Sequence, residues 1–442
     1  MNSYKTTRNR GNKSMGRYSK SEEQLKRAEN TIPLGSQTFS KSRTQYPVGV
    51  SPLYAARAKG AEIWDVDGNK YIDLVSSLAS ITLGYGDPEV NRAVKKQLRL
   101  GVSLSLPAKL EAEVSELIME MVPSAEMVRF GKNGSDATSA AIRLARAFTG
   151  RDHIIVCGYH GWQDWYIGST TRNKGVPESV SSLTHKFEYN NIESLRVLLD
   201  SLKNKVAAVI MEPMNSTYPN PGFLEDVLAL THQAGALLVF DETITGFRYS
   251  KGGAQELFGI TPDLSTFGKG MANGFPLSAV AGKRDVMMEM EEVFFSGTFG
   301  GELLSLTAAK VVLQRHLTED VCGKLSSAGQ TLSLQTERAI LENSLEAEIK
   351  ISGHPSWKFI NWNLTEKYSV EEIKTYFMQE VFKRGVLVLS THNITLAHTP
   401  KIITRITDVY SEVFSELHRV LESQTLRQEL TVEPLKPLFK VR

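Results

Sequence analysis

Three short stretches of this sequence put reactive groups directly after apolar runs. Lys269 stands between two glycines in STFGKGMANGFP, just past residues 263–267. An amine held there can attack a carbonyl and form a Schiff base, and its glycine neighbours let the backbone turn tightly and a ligand approach closely. Asp241 ends the run ALLVF in ALLVFDETITGF. Ligands of open α/β sheets bind outside the carboxyl ends of strands, so a carboxylate emerging there is well placed to hold a cationic nitrogen. Asn133, Gly134, Ser135 and Asp136 form a loop between VRF and a helix in GKNGSDA. Backbone N–H groups and the positive end of the helix dipole meet at such a point, which suits an anion. The loop is neither a Walker A motif nor a GxGxxG fingerprint. Taken singly, each feature has a plainer reading: a solvated turn lysine, an aspartate capping a turn, a well-capped helix.

Together they are the parts that a pyridoxal 5′-phosphate (PLP) site needs. The lysine forms the Schiff base, the aspartate keeps the pyridine nitrogen protonated so that the ring acts as an electron sink, and the loop holds the phosphate. Further residues fit the same site. Tyr159 and His160 follow IIVC and could stack on the flat ring, Glu212 and Asn215 follow VAAVIM and could hydrogen-bond near its hydroxyl, and Thr298 lies in SGTFGG.

These groups need a scaffold that gathers strand ends. Apolar runs at 128–130, 154–157, 206–211, 237–240 and 263–267 end in polar or glycine-rich loops, and most are followed by helix-length stretches. That alternation predicts an α/β fold with a mostly parallel sheet flanked by helices. One helix can be counted: Ala137, Ala140, Ala141, Leu144, Ala145 and Phe148 share a face, with Gly150 placed to stop it. Upstream, residues 21–30 read as a helix, and AEIWDVDGNKYIDL reads as a hairpin turning at Asp67 and Gly68. Beyond about residue 330 come a helix, strands at 349–351 and 359–363, a helix, a strand at 385–389 and a long final helix. The expected organisation is a basic disordered tail at 1–20, the N-terminal part of a small domain at 21–75, a large cofactor domain at 76–325 and a C-terminal small α+β domain at 326–442.

Composition narrows the setting. The 442 residues are 41% hydrophobic and 23% charged, with a net charge of +2, as in an ordinary soluble globular protein. The longest apolar runs fall far short of the roughly 18–20 residues needed to span a bilayer, so no membrane partner is expected. Residues 1–20 hold six basic residues and no acidic one, leaving the other 422 at −4. This tail has little to bury and reads as solvated chain rather than as a nucleic-acid arm or transit peptide, and it lacks the apolar stretch of a secretory signal. Cys157 and Cys322 lie far apart with no neighbouring thiol, so neither a disulfide framework nor a metal site is expected, and a cytoplasmic setting fits.

The chain resembles the class III aminotransferases of fold type I, nearest their glutamate-1-semialdehyde aminomutase branch, from about residue 21 to the mid 420s. The stretches that carry the resemblance are SKSEEQLKRA, WDVDGNKYIDL, MVRFGKNGSDATSAAIRLARAFTGRDHII, GYHGW, EPMN, GFLEDVLALTHQAGALLVFDETITGFR, TPDLSTFGKG, SGTFGG and RGVLVLS. By motif, Lys269 matches the Schiff-base lysine, Asp241 the pyridinium partner, Gly134 with Ser135 the phosphate-binding pair, and Tyr159 the aromatic residue over the ring. Thr298 matches a threonine that reaches the phosphate from the neighbouring subunit, which implies a homodimer.

Departures lie on the substrate side. Leu78 stands where the aminomutase has a tryptophan, Thr243 replaces an apolar residue behind the ring, and the segment after GYHGW is shorter and carries the polar run 168–173. The expected activity is therefore a two-substrate transamination, from an amino acid donor such as glutamate to an aldehyde or ketone. An intramolecular aminomutase, which is an isomerase, is the alternative, and a keto-sugar aminotransferase a further one. A dinucleotide-dependent oxidoreductase lacks its glycine fingerprint here. Lys41 or Arg43 lies near the branch's carboxylate-binding arginine, and Arg172 lies in the polar run, where it could meet a hydroxylated acceptor.

Overall fold

The computed structural model describes residues 16–436, so most of the expected tail lies outside the described residues. Its last part is not tail. A helix runs over Ser19–Glu29, Tyr18 is buried, the Arg17 guanidinium donates to the carbonyl of Phe382, and the Lys20 amide donates to Asp67. The basic charges of Arg17 and Lys20 concealed an apolar anchor at Tyr18, with Leu25 and Ala28 buried on the helix that follows.

Strand β1 (Ala55–Lys59) pairs with β2 (Glu62–Asp65), which turns through Asp67 and Gly68 into β3 (Lys70–Asp73) as the hairpin pattern predicts. The large sheet follows: β4 (Met127–Gly131), β5 (His153–Cys157), β6 (Thr184–Lys186), β7 (Val206–Met211), β8 (Leu237–Asp241), β9 (Leu264–Phe267) and β10 (Ser278–Gly282). Its order is β4-β10-β9-β8-β7-β5-β6, and only β10 runs antiparallel. Strands β4, β5, β7, β8 and β9 thus end on one sheet edge. All six residues of β7 are buried, because helices cover both faces and an unbroken apolar run is what such a strand requires.

The helix Gly134–Thr149 covers one face through Ala140, Ala141, Leu144 and Ala145, while Ile192–Ser201 and Phe223–Gln233 cover the other. Gly150, at φ 64°, ends the first of these in the left-handed conformation. Phe148 falls outside the expected stripe and is exposed, since the buried face runs out one turn earlier.

The remaining core draws on both chain ends. Tyr71, Leu74 and Val75 pack in one cluster with Phe377, Val409 and Phe414, and β13 (Val386–Leu387) pairs parallel with β3 after β11 (Ile349–His354) and β12 (Trp357–Trp362). β14 (Thr391–Asn393) completes a three-stranded sheet with β11 and β12. The helix Val321–Glu342 crosses the expected boundary at residue 325, and both Val321 and Leu325 belong to this core.

Between β3 and the large sheet, Ser76, Ser77, Leu78 and Ala79 all have positive φ, from 45° to 66°. This is a full left-handed turn of L-residues, each costing about 1–2 kcal/mol.

Near it, His316, His354 and His398 are buried, and their pKa values are pushed down to about 4. Burial is the main cause, reinforced in each case by the charge of Arg248. The unfolded chain binds protons at these rings from about pH 6.5 downward while the folded chain does not, so stability is complete above that pH and is lost as pH falls toward 4. Each ring accounts for about 3 kcal/mol of that loss. Asp73 and Glu242, whose buried carboxyls are raised, act in the opposite sense. Denaturant melts between pH 7 and pH 4 should show a steep fall in midpoint, and a flat profile would contradict the burial of three neutral rings.

Candidate active site

Each strand of the parallel set delivers one part of the site. After β4, Asp136 turns back and accepts from the amides of Lys132 and Asn133, starting the helix Gly134–Thr149. The N–H groups of Gly134 and Ser135 then open the helix, where no intrahelical carbonyl serves them. After β5, the GYHGW segment folds over this helix start. The Thr138 hydroxyl donates to the carbonyl of His160, and the Trp162 amide donates to Ser135 Oγ at 3.4 Å. Gly161 has φ 107°, and any Cβ there would collide with Ser135 Oγ, so only glycine lets the two segments close.

After β7, Glu212 Oε2 accepts from the Tyr159 amide at 3.0 Å and from Asn215 Nδ2 at 2.9 Å. Tyr159 remains partly buried, edge-on to Tyr166.

At the end of β8, Asp241 is 5% exposed. Its Oδ2 lies 2.8 Å from His160 Nδ1, and its Oδ1 accepts from the Thr243 amide at 3.1 Å and from the Thr266 hydroxyl at 3.0 Å. Burial alone would raise the carboxyl's pKa, but the His160 contact and the Thr243 bonds outweigh it and hold it below the usual carboxylate range. His160 is 1% exposed, with Nε2 against the Cys157 carbonyl at 3.2 Å, and its ring stacks beside Trp165. It therefore cannot join Tyr159 on the open side, as expected from sequence. It stands behind Asp241 and fixes that carboxylate.

Lys269 follows β9 by two residues, at φ 40°. Its neighbour Gly268 carries the proof of convergence. A methyl carbon built on Gly268 would lie 3.3 Å from Thr243 Cγ2 and 3.9 Å from the Cα of Gly134, while one built on Gly134 would lie 2.9 Å from the same Thr243 carbon. The anion loop, the residue two after Asp241 and the residue before Lys269 thus meet. At that meeting point Thr243 Oγ1 is buried and makes no hydrogen bond of ordinary geometry among the described residues. A phosphate-type cradle, a buried carboxylate and a lysine loop gathered at one point are what a PLP site requires, so the residues fit the cofactor.

The remaining candidates divide. Lys41 Nζ donates to Ser77 Oγ at 3.3 Å, beside Leu78, and the Arg172 guanidinium lies 5.3 Å from the ring centre of Phe39 in the same one-turn helix Phe39–Lys41. Arg43 turns away and pairs with Glu29. Thr298 is exposed on a loop anchored by the Lys132–Glu302 ion pair, between exposed Phe294 and Phe299. Thr138, Thr266 and Trp162 were not foreseen; the two glycines bracketing Tyr159 and His160 were the available signal.

Residues 45–421 match the family described as Aminotransferase class-III. This chain belongs to the class III aminotransferases. The 3-aminobutyryl-CoA aminotransferase of Cloacimonas acidaminovorans is 31% identical over 89% of this chain and 96% of its own length. Glutamate-1-semialdehyde 2,1-aminomutase 2 of Brevibacillus brevis is 34% identical over 87% of this chain and 96% of its own. The FumI protein of Sphingopyxis sp. MTA144, solved in its PLP internal aldimine form, superposes with a TM-score of 0.85 over 94% of this chain and 98% of its own, at 28% identity. The fold is accordingly fold type I, and the protein is a PLP-dependent aminotransferase. Among the described residues no helix is long and apolar enough to cross a membrane, and no cluster of acidic, histidine or cysteine side chains could hold a metal ion.

Proposed function

We propose that this aminotransferase carries an amino group from an amino acid donor such as glutamate to an aldehyde or ketone, with Lys269 as the reacting amine. The convergence of the Gly134 and Gly268 backbones on the Thr243 side chain carries this reading. PLP, when bound, supplies the electron sink that makes a substrate C–H acidic. Lys269 Nζ would hold the cofactor and would carry the proton taken from the substrate carbon. Gly134 and Ser135 bind the phosphate through first-turn N–H groups, with Asn133 at the helix entrance. Asp241 would serve the ring nitrogen and favour its protonated form, Thr243 and Tyr159 would flank the ring, and Glu212 with Asn215 would serve its hydroxyl side. Lys41, Leu78 and Arg172 border the substrate.

A homodimer is part of the same reading. Exposed Leu100, Leu104 and Leu106 neighbour the loop bearing Phe294, Thr298 and Phe299, because the Leu303 amide bonds the Val102 carbonyl at 2.8 Å. An apolar surface of this kind suits a second copy, across which Thr298 would reach the phosphate. Two unpaired cysteines, Cys157 buried and raised in pKa to about 12, support a cytoplasmic setting.

The aminomutase relative favours a second reading, an intramolecular transfer. Donor dependence separates the two. The PLP-loaded protein given an amino donor alone should lose its PLP absorption in one turnover, and a carbonyl acceptor should restore it. Product formed from an amino aldehyde with no donor present would instead establish the aminomutase.

A further inference from the structure

The left-handed turn Ser76–Ala79 persists because both of its ends are pinned, as strained backbone near functional sites must be. At its entrance Asp73 Oδ1 accepts from the amides of Val75 and Ser76, at 2.7 and 3.1 Å, while Tyr85 donates to Asp73 Oδ2 at 2.7 Å. Ser76 Oγ donates to the Asn393 carbonyl at 2.8 Å, and Asn393 Nδ2 donates back to the Val75 carbonyl at 2.7 Å.

The exit is held by Arg248, which is 1% exposed. Its Nη2 donates to the carbonyls of Ala79 and Ile81, both at 3.3 Å, and its Nη1 to those of Ser356 at 3.1 Å and Ile394 at 2.9 Å. Among the described residues no carboxylate forms an ion pair with it. A buried cation without a counter-ion is a costly way to stabilise a core, and an apolar side chain usually serves better. What a guanidinium adds is a rigid planar set of donors able to bind several carbonyls at fixed angles. The turn adjoins the reacting lysine: the Thr82 hydroxyl donates to the Gly270 carbonyl at 3.1 Å, and a Cβ on Gly270 would lie 3.7 Å from the Ala79 carbonyl oxygen.

We infer that Arg248 is a positioning residue for substrate recognition: it acts through the carbonyls of Ala79 and Ile81 to fix the turn carrying Ser77 and Leu78 against the Lys269 loop. This rests on the reading that substrate meets the Lys269 amine, since the turn would then border it.

The test uses the PLP-loaded full chain with Arg248→Lys, which keeps the charge but loses the fork, and with Ser76→Ala, which removes one pin at the other end and is mild enough to fold regardless. Amide hydrogen exchange of residues 75–81 should rise at least 10-fold in Arg248→Lys while that of the helix Gly134–Thr149 stays unchanged. KM for donor and acceptor should rise about 10-fold in Arg248→Lys and a few-fold in Ser76→Ala, with kcat within about 3-fold and PLP absorption intact. Exchange that is unchanged at 75–81, or that rises uniformly, overturns the inference, as does a KM unmoved in Ser76→Ala. If the wild-type chain does not transaminate, the proposed function fails, and the exchange measurement still decides whether Arg248 holds the turn.

Discussion

Replacing Lys269 with alanine should lower transamination by about 10⁴-fold or more, because in the proposed role one side chain would supply both the covalent anchor and the positioned proton carrier, and proton transfer alone contributes about 10² to 10⁴. The fold should survive. Lys269 holds φ 40° between Gly268 and Gly270, and alanine at that position meets the same backbone strain, so the change removes chemistry without adding a conformational cost. Lys269→Arg sharpens the result. Arginine keeps the positive charge and nearly the reach, but its guanidinium does not deprotonate and cannot serve as nucleophile or base. Both variants should bind PLP without the absorption of the lysine-bound form and should show equally low turnover at unchanged melting temperature. Substantial activity in Lys269→Arg would mean that the lysine acts only as a charge, and substantial activity in Lys269→Ala would remove it from the reaction altogether.

Much of this site was legible because its parts are local. The loop after β4, Asp241 at the end of β8 and Lys269 beyond β9 each announce themselves as a polar residue placed where an apolar run stops, and a parallel sheet then gathers such ends on one edge. What the sequence hid depends on partners distant in the chain. Strand β10, the one antiparallel member, reads SAVAG, with no bulky residue to mark it as a strand although every residue is buried. His160 sits next to Tyr159 in sequence yet faces the opposite way, because Asp241, 81 residues later, accepts from its ring. Arg43 carries the charge expected of a carboxylate binder, but Glu29 on the first helix takes it up. The left-handed turn has no signature at all: Asn393 and Arg248 reach it from distant parts of the chain and join Asp73, which lies just ahead of it.

The second large effect is expected at Asp241, where geometry lets charge be removed without removing hydrogen bonds. In Asp241→Asn the amide oxygen can still accept from the Thr243 amide and the Thr266 hydroxyl, while the amide nitrogen donates to His160 Nδ1 and the ring keeps its Nε2 bond to the Cys157 carbonyl. The variant should therefore fold with little change in melting temperature. What it loses is the negative charge that in the proposed role would favour the protonated ring nitrogen by roughly 1–3 pKa units, and turnover should fall by about 10² to 10³. Asp241→Ala separates charge from structure. It leaves a donor amide, a donor hydroxyl and a buried ring nitrogen without their acceptor, at about 1–3 kcal/mol each, so it should lose stability as well as turnover. The pH dependence follows from the depressed carboxyl. Since His160 and Thr243 hold Asp241 below the usual carboxylate range against the effect of burial, the acid limb of the wild-type rate profile should not come from this residue. Asn variants that keep half of the wild-type rate would place the ring's proton under the control of some other group. Those that lose two to three orders of magnitude at unchanged stability tie the electron sink to this single buried charge.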